Sequence, residues 1–152
     1  DVVVVLKRGR NALVKQNNNG RGIYLYGCAD PLKEGYSYDL LAENIKSYKG
    51  LKEITHAYIV KEKGKVDLEG YYLDLHRLQN QELKQNEVVK HLTGIYKNGM
   101  FHSNRKSIPL HFKQKEYIPK NGSRLKIYYG HIGYYNKLQL VVYSKKDFEI
   151  LE

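Results

Sequence analysis

Most of the information on fold and function lies in residues 91–146, which read HLTGIYKNGMFHSNRKSIPLHFKQKEYIPKNGSRLKIYYGHIGYYNKLQLVVYSKK. This segment holds 11 lysines and arginines but a single acid, Glu116. It also holds four of the six histidines and seven of the 15 tyrosines. Cations bind phosphates, phenol rings stack on bases, and imidazoles transfer protons near neutral pH. The segment therefore predicts a surface that binds a polyanion.

Three runs in this segment, 110–118, 124–130 and 137–144, alternate between apolar and polar residues, which is typical of half-buried strands. They predict an antiparallel meander, and Asn98-Gly99 predicts a hairpin turn before it. The side chains expected to face the core are Leu110, Phe112, Ile118, Leu125, Ile127, Tyr129, Leu138, Leu140 and Val142. The opposite face would carry His111, Lys113, Lys115, Tyr117, Arg124, Lys126, Tyr128, Gln139 and Tyr143. We expect this face to contact phosphates.

Upstream residues predict strands at 2–6 and 22–26 and a hairpin around Lys63-Gly64-Lys65. A helix is expected over 38–48, because Ser37 can cap its start and Gly50 follows its end. A second helix is expected over 82–91. The predicted fold is therefore α+β: N-terminal strands and one or two helices, followed by a twisted antiparallel sheet of about four strands.

A length of 152 residues fits one domain over 1–152, with the basic antiparallel meander at 95–146. The net charge of +10 favours a polyanionic partner. Because Cys28 is the only cysteine, no disulfide can form within the chain. No apolar run approaches the roughly 20 residues of a membrane span, so we expect a soluble protein. The chain begins at Asp1, which suggests a processed product or a terminal domain of a longer, secreted or delivered protein.

Metal-dependent hydrolysis is not expected, because the basic segment lacks convergent carboxylates and close Cys and His pairs. No metal and no cofactor are therefore predicted. Metal-free RNA cleavage needs a base for the 2′-hydroxyl, an acid for the leaving oxygen and cations for the phosphate. Glu116, His111 and His131 are candidates for the proton transfers. Lys113, Lys115, Arg124 and Lys126 are candidates for phosphate binding.

A resemblance to a known family rests on FHSNRKSIP at 101–109, FKQKEY at 112–117 and RLKIYYG at 124–130. These stretches resemble the base-binding loop, the catalytic strand and the phosphate-binding strand of barnase-type ribonucleases. By this resemblance Ser103, Asn104 and Arg105 would bind the base, with Tyr128 as a further base contact. Glu116 would be the general base, while Arg124 and Lys126 would hold the phosphate. The family's histidine acid has no counterpart in the last strand, so Lys145, His131 or Tyr143 would replace it.

The wider group of barnase, EndoU, colicin nucleases and RelE shares helices followed by a four-stranded antiparallel sheet. Its members occur as toxin domains, which implies RNA as substrate, action in a target cytoplasm and an acidic immunity or antitoxin protein as partner. The resulting prediction is a metal-independent endoribonuclease of the toxin or effector type.

Three alternatives use the same residues differently. A non-enzymatic module could bind nucleic acid or an acidic protein with the cationic face. An adhesin or virulence-factor β domain could use the tyrosines for recognition. Gly22-Ile23-Tyr24 resembles the opening of GIY-YIG nucleases, but the later residues of that pattern are missing.

Overall fold

The computed structural model describes residues 1–73, 83–104 and 106–151 of the chain. Their contacts group into two compact units, unit 1 at Asp1–Tyr72 and unit 2 at Leu73–Glu152. The regular elements of these residues are strands, apart from 3₁₀ turns at Glu69–Tyr71, Lys115–Tyr117 and Lys145–Asp147. The α+β prediction is therefore wrong, and the chain is nearly all β. The single domain over 1–152 stays a prediction.

Unit 1 is a closed barrel of five strands. They are β1 (Val2–Arg8), β2 (Asn11–Lys15), β3 (Ile23–Leu25), β4 (Tyr36–Tyr48) and β5 (Leu51–Lys65). Around the barrel the order is β1-β2-β3-β5-β4, and β3 pairs with β5 in parallel. The β-branched run predicted as a buried strand is confirmed as β1, whose Val2 and Val4 pack in the core with Leu25 and Tyr38.

The described residues of unit 2 form six strands. They are β6 (Val88–Lys97), β7 (Met100–Ser103), β8 (Lys106–Phe112), β9 (Arg124–Tyr135), β10 (Lys137–Val142) and β11 (Phe148–Leu151). The order is β10-β8-β7-β6-β9-β11, and an additional pairing of β10 with β9 closes the first five strands on themselves. Because β8 and β10 are parallel, this barrel repeats the strand order of unit 1. This order is that of the OB-fold, a five-stranded Greek-key barrel.

The predicted antiparallel meander is wrong in its connections. β8 pairs with β7 and β10, whereas β9 pairs with β6, β10 and β11, so β8 and β9 are not neighbours. Alternation nevertheless predicted several core residues correctly, since Leu110, Phe112, Leu125 and Ile127 are all buried. Ile118 is exposed, because β8 ends at Phe112 and a 3₁₀ turn then interrupts the alternation.

The segment predicted as the first helix is β4. Its pairing with β5 shifts register at four places between Ser37 and Ile45, and at one of them Glu43 is an extra residue in β4. Strict alternation breaks there, because the faces of a strand reverse at an extra residue. The apolar residues Leu40, Leu41 and Ile45 therefore also match a helical spacing. β5 continues through Gly64, so the predicted hairpin around that residue is also wrong. Of the second predicted helix, residue 82 lies outside the described residues and the part from Val88 onward belongs to β6.

Two turns with positive φ at both central residues join paired strands. Asn98 and Gly99 have φ of 50° and 77° between β6 and β7, which confirms the predicted hairpin. Lys49 and Gly50 have φ of 47° and 80° between β4 and β5. Such φ values fit a type I′ turn, for which glycine is well suited. Gly50 therefore marks a hairpin turn rather than a helix end.

Within the described ranges, no helix has the length and apolar character needed to cross a membrane.

A substitution of Tyr38 tests the assignment of β4 as a strand. Its side chain is fully buried, and its hydroxyl accepts a hydrogen bond from Lys33 N at 2.9 Å and donates one to Glu62 Oε1 at 3.2 Å. Tyr38→Phe would leave the Lys33 amide without this acceptor, so we expect the free energy of unfolding to fall by about 1–2 kcal/mol in urea titrations. The half-buried neighbour gives a control, Tyr36→Phe, with a change below about 0.5 kcal/mol. Equal effects of the two substitutions would contradict the assignment.

Candidate nucleic-acid interface

The barrel strands of unit 2 have an unusual charge composition. Strands β6 to β10 carry Lys90, Lys97, Lys106, Arg124, Lys126 and Lys137 but no aspartate or glutamate. Unit 1 differs, because Arg8, Arg10, Lys33 and Lys63 each form an ion pair with a carboxylate. Among the residues that the structure describes, Lys97 and Lys137 form no ion pair. The positive charge of unit 2 is therefore less neutralised by acids of its own chain.

One side of this barrel is formed by the outward side chains of β7 and β8. We define the β7–β8 face as these side chains together with the turns at the two ends: Lys97, His102, Ser107, His111, Tyr134, Tyr135 and Lys137. Register places His102 opposite Ser107, and His102 Nδ1 lies 2.6 Å from Ser107 Oγ. In OB-folds the second and third strands, with the loops after the first and fourth strands, bind oligonucleotides and oligosaccharides. The β7–β8 face occupies that position in unit 2.

The turn between β9 and β10 supplies the aromatic part of this face. Tyr135 is 66% exposed and Tyr134 39% exposed. Lys137 pairs with Tyr135 across the turn and is also exposed. Exposed rings beside a cation suit stacking with bases and contact with the adjoining phosphates. These residues were not among the predicted site residues, although YYNK at 134–137 combines a turn signal with two aromatic residues.

His111 and His131, both predicted as catalytic, lie on different strands. Val141 of β10 pairs with His111 on one side and with His131 on the other. Two strand spacings of about 4.8 Å separate the histidines by roughly 10 Å. Partial desolvation lowers the pKa of His111, and the charge of Lys113 lowers it further. This spacing does not bring the two imidazoles together for one proton transfer.

His131 is a buried structural residue. Its Nε2 lies 3.0 Å from Asn86 Oδ1 and its Nδ1 lies 2.9 Å from the Tyr143 hydroxyl. Because an amide oxygen only accepts, Nε2 carries the hydrogen and Nδ1 accepts from Tyr143. Burial lowers the pKa of His131 to about 3, with the charge of Lys113 as a smaller cause. The imidazole is therefore neutral at physiological pH.

The other predicted site residues fall into two groups. Lys113, Lys115, Glu116 and Lys145 lie near the ends of β8 and β10, where Lys145 Nζ is 5.4 Å from the centre of the Tyr117 ring. Arg124 and Lys126 lie at the start of β9, between β6 and β11. The predicted continuous face across three strands is therefore divided between two sides of the barrel.

The predicted base-binding residues are not brought together either. Ser103 Oγ donates a hydrogen bond to Thr93 O at 2.7 Å and so links β7 to β6. Asn104 is exposed in the turn after β7, and Arg105 lies outside the described residues. Tyr128 lies on β9, beyond β6, where Lys126 Nζ is 5.3 Å from its ring centre. A hydrogen bond with Glu149 raises the pKa of Tyr128, and desolvation adds to this.

The sequence matches no protein-family model and no curated protein. Solved structures do align with it over almost its whole length. A murine DNA-binding protein bound with double-stranded DNA aligns over 99% of this chain and 93% of its own, with 11% identity and a TM-score of 0.49. A tetrameric p202 HIN2 structure covers 99% and 90% of the two chains, with 11% identity and a TM-score of 0.47. An Ifi202 HINa domain in complex with 20-base-pair double-stranded DNA covers 99% and 93%, with 14% identity and a TM-score of 0.42.

The resemblance to barnase-type ribonucleases is wrong. It implies helices followed by a four-stranded antiparallel sheet, whereas the described residues form two β units whose regular elements are strands and 3₁₀ turns. The predicted ribonuclease, toxin and hydrolase functions are wrong with it. The catalytic roles of Glu116, His111, His131 and Lys145 depended on that prediction.

The burial of His131 predicts acid sensitivity. The unfolded chain protonates this imidazole with a pKa of about 6.5, whereas the folded chain does so only near 3. Between these values the unfolded state binds more protons, so stability falls as pH falls, by about 1.4 kcal/mol per pH unit. We expect His131 to account for a loss of roughly 2 kcal/mol between pH 7 and pH 5.

Amide hydrogen exchange in β9 and β10 at pH 7 and pH 5 measures this loss. His131→Gln should reduce stability at pH 7 but remove most of the pH dependence that His131 causes. His91→Asn serves as control, because His91 is exposed and asparagine tolerates its φ of 56°. A pH dependence that is the same in the wild-type chain and in His131→Gln would refute a buried, neutral His131.

Proposed function

We propose that unit 2 is a non-enzymatic nucleic-acid-binding module that uses the β7–β8 face. The observation that carries this proposal is the absence of aspartate and glutamate from strands β6 to β10, which carry six lysines and arginines. Two of these six cations, Lys97 and Lys137, belong to the β7–β8 face, where they can attract the sugar-phosphate backbone through counterion release, which is independent of base sequence. In OB-folds oligonucleotides bind across the second and third strands, which are β7 and β8 in unit 2.

The composition of the face favours contacts with both backbone and bases. Lys97 lies at the turn between β6 and β7, and Lys137 lies at the turn between β9 and β10, at the opposite end of β8. Tyr135, beside Lys137, offers an exposed ring to an unpaired base. His102 and Ser107 add hydrogen-bonding groups between the two lysines. The face can therefore hold phosphates at both ends and one base or more at the aromatic end.

Single-stranded DNA, single-stranded RNA and duplex DNA are the probes for this proposal. The duplex is included because two of the aligned structures are described with bound double-stranded DNA. Stacking on Tyr135 requires an unpaired base, so we expect single strands to bind more tightly than the duplex. RNA was the predicted partner, and its affinity relative to DNA tests that preference.

The proposal predicts a defined salt dependence. Fluorescence anisotropy with a 20-nucleotide single strand should show affinity falling linearly on a double-logarithmic plot against salt. Lys97→Gln and Lys137→Gln should each lower the magnitude of the slope by about 0.7, because each removes one phosphate contact to a single strand. Tyr135→Ala should cost about 1–3 kcal/mol of binding free energy through lost stacking.

Lys61→Gln is the matched control, since Lys61 is an exposed lysine of unit 1. It should leave the slope unchanged within error. The β7–β8 face would be ruled out if binding did not depend on salt. It would also be ruled out if none of the three substitutions changed the affinity. Electrophoresis of the probe after incubation should show intact nucleic acid, and specific cleavage would rule out a non-enzymatic module.

A further inference from the structure

Four lysines of unit 2 converge at one end of the barrel. We define the lysine cluster as Lys113, Lys115, Lys145 and Lys146. β8 and β10 are parallel neighbours and therefore end side by side, at Phe112 and Val142. Lys113 N donates a hydrogen bond to Val142 O at 2.9 Å, which links the segments that follow the two strands. Residues that are about 30 positions apart in sequence thus share one surface.

The acid next to Lys145 and Lys146 does not neutralise them. Asp147 is only 1% exposed, and its Oδ2 accepts hydrogen bonds from Ser144 N and Ser144 Oγ, both at 3.1 Å. Its carboxylate is thus used to close the turn that begins at Ser144. Glu116 is the exposed acid in the two segments. Within the described part of the chain, none of the four lysines forms an ion pair.

Two of the ammonium groups form cation–π contacts with tyrosine rings. Lys113 Nζ lies 5.8 Å from the ring centre of Tyr143, and Lys145 Nζ lies 5.4 Å from that of Tyr117. The Tyr117 ring itself packs against Phe148 of the core, with the ring centres 6.4 Å apart. Cation–π contacts of this kind contribute about 0.5–1 kcal/mol at exposed sites and restrict long side chains. The cluster therefore presents partly ordered cations.

We infer that a nucleic-acid strand bound to the β7–β8 face continues past His111 onto the lysine cluster, which contacts its phosphates. This inference rests on the proposed function. β8 runs from the turn beside Tyr135 and Lys137 to Lys113 over seven residues, which is about 23 Å. A stacked strand rises about 3.4 Å per nucleotide, so about seven nucleotides cover this length. A nucleic-acid strand much shorter than this does not reach from the aromatic turn to the lysine cluster.

The experiment compares 3-nucleotide and 20-nucleotide single strands by fluorescence anisotropy. Lys145→Gln combined with Lys146→Gln should weaken the 20-nucleotide complex and lower its salt slope by about 1.4, for two contacts at about 0.7 each. The 3-nucleotide complex should be unchanged, because a strand of about 10 Å held at Tyr135 ends well before the lysine cluster. Arg124→Gln with Lys126→Gln removes the same charge beside β11 and should affect neither complex.

The outcomes separate this inference from the function on which it rests. If Tyr135→Ala weakens both complexes while the cluster variant weakens neither, the β7–β8 face remains and the extension is refuted. Equal weakening of both lengths by the cluster variant also refutes the extension, as does equal weakening by the cluster and control variants. If no variant weakens binding, not even Tyr135→Ala, both the inference and the proposed function are refuted.

Discussion

The parallel pairing of β8 with β10 is the constraint on which the functional surface of unit 2 depends. It places Leu110 beside Leu140 and Phe112 beside Val142, so that the two strands add neighbouring side chains to one core. It also determines which side chains meet outside the barrel. Without it, Lys113 and Lys145 would belong to separate parts of the chain, and the β7–β8 face would end at an open sheet edge. Closure of the barrel therefore creates both surfaces assigned to nucleic acid.

Charge distinguishes two units that share one strand order. Unit 1 uses acids such as Glu34 and Asp30 to pair its arginines at about 3.0 Å, and these contacts link its turns. In unit 2 the acid in the turn after β10, Asp147, is buried and caps that turn together with Ser144. It therefore forms no ion pair with the exposed Lys145 and Lys146 beside it. Under the proposed function, a polyanion supplies this negative charge. The same barrel topology thus has a largely self-neutralised form and a form suited to binding phosphates.

Sequence patterns predicted local features more successfully than the connections between them. The strand predicted at 2–6, the Asn98-Gly99 turn and the inward direction of Leu125 and Ile127 follow from short-range rules, and the structure has all of them. β4 was taken for a helix, because its apolar residues Leu40, Leu41 and Ile45 match a helical spacing and an extra residue, Glu43, breaks the alternation by which strands are recognised. The pairing of β8 with β10 joins residues about 30 positions apart, and no local propensity encodes such a pair.

The predicted ribonuclease chemistry is wrong, whereas the individual site residues stay predictions. A surplus of lysine and arginine is visible in composition, so the positive charge of residues 91–146 follows without coordinates. The state of His131 does not, because it depends on Asn86 from before β6 and Tyr143 from after β10. A three-strand face was expected from sequence order, but Arg124 and Lys126 lie in the half of β9 that pairs with β6 and β11, whereas β10 pairs with the other half, from His131 to Tyr135.

Binding at the β7–β8 face can be observed by mapping backbone amide shifts while the full chain is titrated with a 20-nucleotide single strand. The largest changes should occur at His102, Ser107 and Tyr135, with smaller ones at Lys113 and Lys145, while strands β1 to β3 stay unchanged. Changes confined to unit 1, or to β11 and the start of β9, would contradict binding at this face.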